Sequence, residues 1–141
     1  GPYDKFDFAT SHVTAALIRR VVERHNPFEV WGTGEDIRDL IFIEDFLDGL
    51  MLALENCDFY DEINICSGMG VTIKEILQTA LQVDFFDNAH VIFNSDKPST
   101  TPVRLMNNSR AKERLGFEAK IGLSEGLRRA IQWYREHTLA N

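Results

Sequence analysis

The stretch Trp31-Gly32-Thr33-Gly34-Glu35-Asp36-Ile37-Arg38-Asp39-Leu40-Ile41-Phe42-Ile43-Glu44-Asp45 constrains this chain more than any other. A strand ends at Trp31, and a Gly-x-Gly turn then reverses the chain. The run Leu40-Ile41-Phe42-Ile43 has no polar residue to turn toward water, so burial on both faces is expected. It leads into an acidic helix start at Glu44-Asp45, which suits the positive end of the helix dipole. Trp31 and Arg38 stand seven residues apart at the mouth of this corner. A flat ring and a fixed fork of donors are what a pocket for a nucleobase or a phosphate needs. Two plainer roles stay open: Trp31 as core filler, and Arg38 in local pairs with Asp36 or Asp39 that contribute about 0–1 kcal/mol.

The 141 residues allow one domain, and a chain of this size buries enough surface to fold without disulfide or metal. A net charge of −7 argues against general binding to nucleic acid or an anionic membrane. Cys57 and Cys66 are too few for a disulfide framework and lack metal-ligand spacing, so both read as small packed thiols. His25, His90 and His137 are scattered, and no metal site is expected. No apolar run reaches the roughly 20 residues of a membrane span, and no leader pattern is evident. A soluble, reducing, cytoplasmic setting is the expectation. The opening Gly1-Pro2, without Met, fits a cloning scar or the cut end of a longer protein.

Apolar spacing predicts a helix from His12 to about Glu23, capped by Ser11, with Val13, Ala16, Leu17 and Val21 inward. His25-Asn26-Pro27 stops it. Strands are expected over Phe28–Trp31, Ile37–Ile43, Glu62–Ile65 and Val91–Phe93. A helix to about Asn56 should bury Phe46, Leu47, Leu50 and Leu54. After the loop Ser67-Gly68-Met69-Gly70, Thr72-Ile73-Lys74-Glu75 forms a capping box, opening a helix to about Gln82 on Ile73, Ile76, Leu77 and Ala80. The polar, Pro-bounded segment 94–102 is long for a connector and reads as a candidate functional loop. Asn108 or Ser109 caps a short helix ended by Gly116, and Ser124 caps a last helix packed through Leu127, Ile131 and Trp133/Tyr134. Strands alternating with helices give an α/β architecture.

Among residues able to carry chemistry, His12 sits in a first helical turn, where positive charge is disfavoured and a neutral imidazole can exchange protons. An exposed or capping histidine is the bland alternative. Arg19 and Arg20 point about 100° apart, so at most one faces a given pocket. Arg20, eight residues after His12, is the better placed to share its site. Lys97 and Arg104 flank the 94–102 loop, where solvated loop charges are the plain alternative. Glu44/Asp45 and Asp58/Asp61 fit helix starts and loops rather than a catalytic carboxylate pair. No Gly-rich strand-to-helix phosphate loop is present.

In order along the chain, Gly1-Pro2-Tyr3-Asp4, Ser11-His12-Val13 with Ala16 to Arg20, Val30 to Gly34 with Arg38-Asp39, Ile43-Glu44-Asp45, Ile63-Asn64-Ile65, Thr72 to Glu75, Asp96-Lys97-Pro98 with Thr101-Pro102, Leu115-Gly116-Phe117 and Leu123 to Leu127 resemble the C-terminal half of an extended short-chain dehydrogenase/reductase acting on nucleotide sugars. This is the NAD-dependent epimerase/dehydratase family, and the GDP-L-fucose-forming branch is the most similar. The resemblance implies a small C-terminal substrate-binding lobe of an extended Rossmann-type enzyme, with residues 1–141 as one nucleotide-sugar-binding unit and the Rossmann domain itself absent. It implies His12 as the acid/base of epimerisation, and Arg20, Trp31, Arg38 and Arg104 as binders of the nucleotide-diphosphate sugar. Arg104 stands where the fucose-forming branch usually carries Lys, and Asp84-Phe85-Phe86-Asp87 replaces an expected Gly-containing turn. The parent would use NADP or NAD. None is expected to bind this chain, because Tyr3, Tyr60 and Tyr134 are followed four residues later by Asp7, Asn64 and Thr138, never Lys. The implied partners are a nucleotide-diphosphate sugar and the missing N-terminal Rossmann domain, with no nucleic acid and no membrane. Loss of that domain would open apolar surface to self-association. Another nucleotide-sugar epimerase or dehydratase lobe, or a non-enzymatic binding module that kept this fold, is the alternative.

Overall fold

A computed structural model of the chain describes residues 1–57, 60–97 and 101–138. Ten elements follow in order: α1 Val13–Val22, β1 Phe28–Trp31, β2 Ile37–Asp39, α2 Ile43–Asn56, β3 Gly70–Thr72, α3 Ile73–Val83, β4 Val91–Asn94, β5 Val103–Arg104, α4 Ser109–Leu115 and α5 Leu123–Thr138. The expected α/β class holds. β1 and β4 pair in parallel, with Phe28 opposite Val91 and Trp31 opposite Asn94. In a second sheet β2 is central, antiparallel to β3 and parallel to β5.

The main core lies where α1, α3 and α5 pack on one another and on β1. Phe28, Ile18, Val21, Ile76, Leu77 and Tyr134 are almost wholly buried there. A second cluster gathers Ala111, Leu115 and Phe117 with Ile41, Leu52, Ile63 and Ile65. The Leu40–Ile43 run divides between them: Leu40 joins the first cluster and Ile41 the second. That division accounts for Leu40 and Ile41, and Phe42 is buried as well, but Ile43 is exposed, so the expected burial does not extend to the end of the run. The run forms no ladder beyond Asp39, and Ile43 already begins α2.

Several local expectations are corrected. Ser11 does not cap α1. Asp7 accepts from the Ala9 and Thr10 amides and its carbonyl takes the Ser11 N–H, which leaves His12 at the cap position with no side-chain bond. The inward face of α1 is Ala15, Leu17, Ile18, Val21 and Val22, while Val13 is exposed. Asn108 stands at the cap position of α4 as expected, but its side chain donates to the Ser67 carbonyl, and it is Asn107 that accepts from the first amide of the helix. Phe46, Leu47, Leu50 and Leu54 of α2 all face outward, and the buried residues are Asp45 and Gly49. Glu62–Ile65 forms no strand, since a strand exists only as a pair and none of the described strands lies beside it. The capping box of α3 is as expected: the Thr72 hydroxyl accepts from Glu75 N at 3.1 Å and the Glu75 carboxylate from Thr72 N at 2.7 Å. Cys57 is half-buried and Cys66 buried, both free. Asp58 and the Pro98–Thr100 part of the 94–102 loop lie outside the described residues. Among the described residues no helix is long and apolar enough to cross a membrane, and no His/Cys/Asp/Glu group fits a metal ion.

Two helix ends are tied to each other. Arg24 and Phe85 follow the last turns of α1 and α3 with φ of 57° and 53°. Arg24 donates to the Asp84 carbonyl at 2.9 Å and pairs with its carboxylate at 2.7 Å, and Arg135 of α5 pairs with the same carboxylate at 2.6 Å. This explains the unusual Asp84-Phe85 turn: the acid is needed by two arginines, and Phe85 occupies a left-handed position that suits glycine better. Phe85→Gly is expected to raise stability by about 1 kcal/mol in urea unfolding, because the side chain is exposed and its loss removes only the steric cost of positive φ.

The three-helix core also holds a titrating pair. The Tyr134 hydroxyl, 1% exposed as a residue, donates to Glu23 at 2.8 Å, and Arg19 and His25 bond the same carboxylate. Burial pushes the Tyr134 phenol up, and the Glu23 charge pushes it further, to about 12. Burial alone would raise the Glu23 carboxyl, but the bonds from Tyr134, His25 and Arg19 outweigh it and hold it below the usual range. Glu23's contribution is thus present above the ordinary carboxyl range and lost as pH falls through its lowered value. Tyr134's is present below about 10 and lost as pH rises toward about 12. The urea midpoint is expected to fall across that alkaline window, and Tyr134→Phe should lower the plateau while flattening the fall.

Candidate nucleotide-sugar site

The Gly32–Gly34 turn fixes the corner. Gly32 and Gly34 have φ of 80° and 84°, and the Phe93 ring lies against Gly34 where a Cβ would stand. The Gly34 carbonyl accepts from Lys74 N at 2.9 Å and the Asp36 carbonyl from Ile73 N at 3.0 Å, so the start of α3 is pinned to the corner.

Trp31 is not core filler. It closes β1 with 60% of its surface exposed, and the Lys97 ammonium stands 5.6 Å from the ring centroid. Arg38 pairs with Asp36 at 3.2 Å, and its other terminal nitrogen donates to the Ile37 and Thr101 carbonyls, each at 2.8 Å. Asp39 takes no part in that pair. Three of the five N–H donors a guanidinium carries are therefore taken among the described residues, leaving two. Arg104 lies opposite Arg38 in the β2–β5 register and reaches the Thr101 hydroxyl at 3.5 Å. Two guanidiniums on neighbouring strands thus converge on Thr101. Arg104, exposed and lightly held, is the freer of the two.

Arg20 lies one pocket away. It donates to the Glu29 carbonyl at 2.6 Å and lines a cavity of about 290 Å³ with Phe8, His25, Pro27 and Glu29. Glu29 is two residues before Trp31, on the same exposed side of β1. Arg19 is occupied elsewhere, bonded to Glu23 and to the Phe6 carbonyl and stacked on Phe8 at 3.9 Å.

His12 does not share a pocket with Arg20, despite their spacing. It lines a different cleft of about 220 Å³, mostly apolar, with Thr14, Phe42, Ser67 and Met69 among its walls. Two carboxylates that read as ordinary acids build this cleft. Asp39 accepts from Ser67 N at 3.0 Å, Ser67 Oγ at 2.6 Å and Gly68 N at 3.0 Å. Asp45, 3% exposed, accepts from Lys120 N at 3.1 Å and Ile121 N at 2.8 Å. Asp45 looked like a dipole-compensating acid, and nothing in the sequence separates it from Glu44 beside it, whose carboxylate is exposed. Burial, then the Asp39 charge, push the neighbouring Cys66 thiol up, which disfavours its nucleophilic thiolate form. Asp45→Ala is expected to cost about 1–3 kcal/mol by stranding two backbone donors, and hydrogen exchange should speed up at Lys120 and Ile121 before the rest of the chain.

A family model described as "NAD dependent epimerase/dehydratase family" matches residues 1–66. A "Probable GDP-L-fucose synthase 1" from Oryza sativa is 35% identical over 99% of this chain and 43% of its own length. A GDP-L-fucose synthetase from Naegleria fowleri superposes with a TM-score of 0.88 at 19% identity, over 97% of this chain and 43% of that one. A Pseudomonas aeruginosa protein, RMD, solved with NADPH, gives 0.84 at 18% identity, over 98% and 46%. The shared feature is the fold, over less than half of each larger protein.

Proposed function

From the likeness of this chain to the NAD-dependent epimerase/dehydratase family, we propose that it belongs to that family and that its 141 residues are one nucleotide-sugar-binding lobe of a GDP-L-fucose synthase-like epimerase/reductase. The observation that carries this reading is the convergence of Arg38 and Arg104 on Thr101, with the open face of Trp31 and Lys97 at the end of β1. Two forks on adjacent strands suit a diphosphate, whose oxygens accept charge-assisted bonds in pairs. Trp31 offers an exposed ring as a wall for the base or the sugar. Arg20, beside Glu29, extends the cationic surface along β1. Arg38 spends most of its donors on its own chain and braces the corner, so Arg104 is the principal phosphate contact.

The parent reaction in this reading is epimerisation beside a 4-keto group, followed by reduction of that ketone. His12 takes and returns the proton on the carbon next to the carbonyl, where the keto group makes it acidic. The apolar walls of its cleft limit access of water to that carbon.

In this reading the dinucleotide is held elsewhere, because α1, whose first turn carries no acid, follows Ser11-His12 rather than a glycine-rich turn, and three other helices open on acids. The α3 N-terminus is closed by its own Glu75 carboxylate, α2 begins with Glu44 and Asp45, and α5 carries Glu125 in its first turn. These carboxylates stand where a pyrophosphate would need free amides. The Gly32–Gly34 turn leads into β2 rather than a helix. The reductive cofactor, NAD or NADP, and its Rossmann domain therefore belong to the remainder of the parent in this proposal.

Calorimetry on the chain should give weak binding of GDP- or UDP-sugars. Arg104→Ala should weaken it about tenfold or more with an unchanged melting temperature, a charge-assisted bond being worth about 1.5–3 kcal/mol. Arg38→Ala should weaken binding and lower the melting temperature as well. No heat with either sugar class, with both variants indistinguishable from the parent chain, would count against the reading. NADPH absorbance should not change with the isolated chain.

A further inference from the structure

We propose that Glu29 and Lys97 select the base of the bound nucleotide: a purine stacks on Trp31, Glu29 accepts from its ring N–H and exocyclic amine, and Lys97 donates to the adjacent keto oxygen. Guanine is the base with that edge. This rests on the reading above that the chain binds a nucleotide sugar. It adds which side chains choose the base.

β1 and β4 form a two-stranded sheet with one packed side and one open side. Phe28 and Val30 are buried, whereas Glu29 and Trp31 point the other way into solvent. Ile92, opposite Glu29 in the register, is exposed with them. Trp31, with 60% of its surface exposed at the strand end, is a stacking platform without an occupant in the chain's own core. Stacking on an aromatic ring attracts any base, so the ring gives affinity without choice. The choice falls to polar groups at the rim, which read the edge of the base.

Asn94 sets those groups. Its side-chain amide donates to Glu29 Oε1 at 2.7 Å, and its side-chain oxygen accepts from Asp96 N at 3.1 Å. Its carbonyl accepts from Gly32 N at 2.8 Å and from Lys97 N at 3.3 Å. One residue therefore fixes the Glu29 carboxylate, the turn after Trp31 and the backbone that carries Lys97. Arg20 holds Glu29 by its carbonyl, at 2.6 Å, and not by its carboxylate. Glu29 Oε2 takes no bond among the described residues, so it is open to a ligand. The Lys97 ammonium stands 5.6 Å from the Trp31 centroid, near the outer reach of a cation–π contact and on a flexible stem. A base that settles on the ring displaces it to the base edge.

Donor and acceptor patterns then select. A carboxylate only accepts and an ammonium only donates. Guanine offers the carboxylate two neighbouring N–H groups and the ammonium a keto oxygen beside them. Uracil has one N–H between two keto oxygens, so a carboxylate that faces it also meets oxygen. Adenine carries an amine where the ammonium needs an acceptor.

Calorimetric titration of the chain with guanosine, inosine and uridine diphosphates tests this. Inosine differs from guanosine only in lacking the exocyclic amine. The unsubstituted chain should bind the guanosine form about tenfold tighter than either of the others, the effect of one charge-assisted bond. Glu29→Ala should bring the guanosine-to-inosine ratio to about one. Lys97→Met should weaken both by the same factor and leave their ratio. A ratio near one in the unsubstituted chain, or a preference that survives Glu29→Ala, would overturn the proposal. So would a Glu29→Ala variant that loses all three nucleotides equally and melts at a lower temperature, the mark of a purely structural role. Arg104→Ala should weaken all three alike, because it faces the diphosphate they share. Binding without base preference thus sinks this proposal and leaves the functional reading standing, whereas no binding of any nucleotide sinks both.

Discussion

Position 34 has no room for a side chain, and the arrangement of the molecule follows from that. The Phe93 ring of β4 occupies the space beside Gly34, while the Gly34 carbonyl receives Lys74 at the start of α3. Gly32 N bonds to Asn94 O at 2.8 Å, holding the end of β1 to β4. One turn therefore joins the two sheets and the three-helix core. Trp31 precedes it and Arg38 follows, so their separation is set by a contact neither of them makes. A methyl group at position 34 would displace Phe93 and strain a backbone already at φ 84°.

What could be read in advance was what local chemistry decides. The Thr72/Glu75 box and the Gly116 end of α4 each involve residues a few positions apart and were found in place, whereas α1 ends at Val22, ahead of the expected His25-Asn26-Pro27 stop, with Arg24 turning left-handed. Partnership across the chain was less visible. β3 and β5 have three and two residues, too few to show a period, and exist only because β2 lies between them. Glu62–Ile65 has the pattern of a strand without a described partner. On α2 the apolar stripe was real, but the spacing that marks a face does not say whether it turns inward. Gly49, Leu52 and Ala53 make the true contact, and of these only Leu52 is strongly apolar, standing off the stripe that the spacing marks.

The site was legible residue by residue and not as an assembly. Trp31, Arg38 and Arg104 could be nominated from residue type and neighbourhood, but Thr101, on which both guanidiniums converge, was marked only as part of the Thr101-Pro102 motif and the 94–102 loop, not as their meeting point. Arg38 could also be suspected of pairing locally. It does so with Asp36 and not with Asp39, because β2 places Asp39 against the Ser67-Gly68 turn. The helical spacing of His12 and Arg20 was sound geometry with a wrong consequence. α1 begins only at Val13, so His12 lies outside the regular helix and turns into its own cleft.

Asp39 and Asp45 give the polar corner and the apolar stripe a common mechanical base. They bracket the Leu40–Glu44 run, one gripping the Ser67-Gly68 turn and the other the Lys120-Ile121 strap. Both grips border the cleft that His12 lines, since Ser67 and Ile121 are among its walls. Each is a carboxylate held by two or three short bonds, stiffer than the apolar contacts around it. A force applied along α2 reaches the cleft through Asp45 first, because that residue belongs to the helix itself. It reaches the guanidinium pair only after passing through the strand at Asp39. The cleft that His12 lines is therefore closer, through these bonds, to the exposed face of α2 than the Arg38/Arg104 corner is.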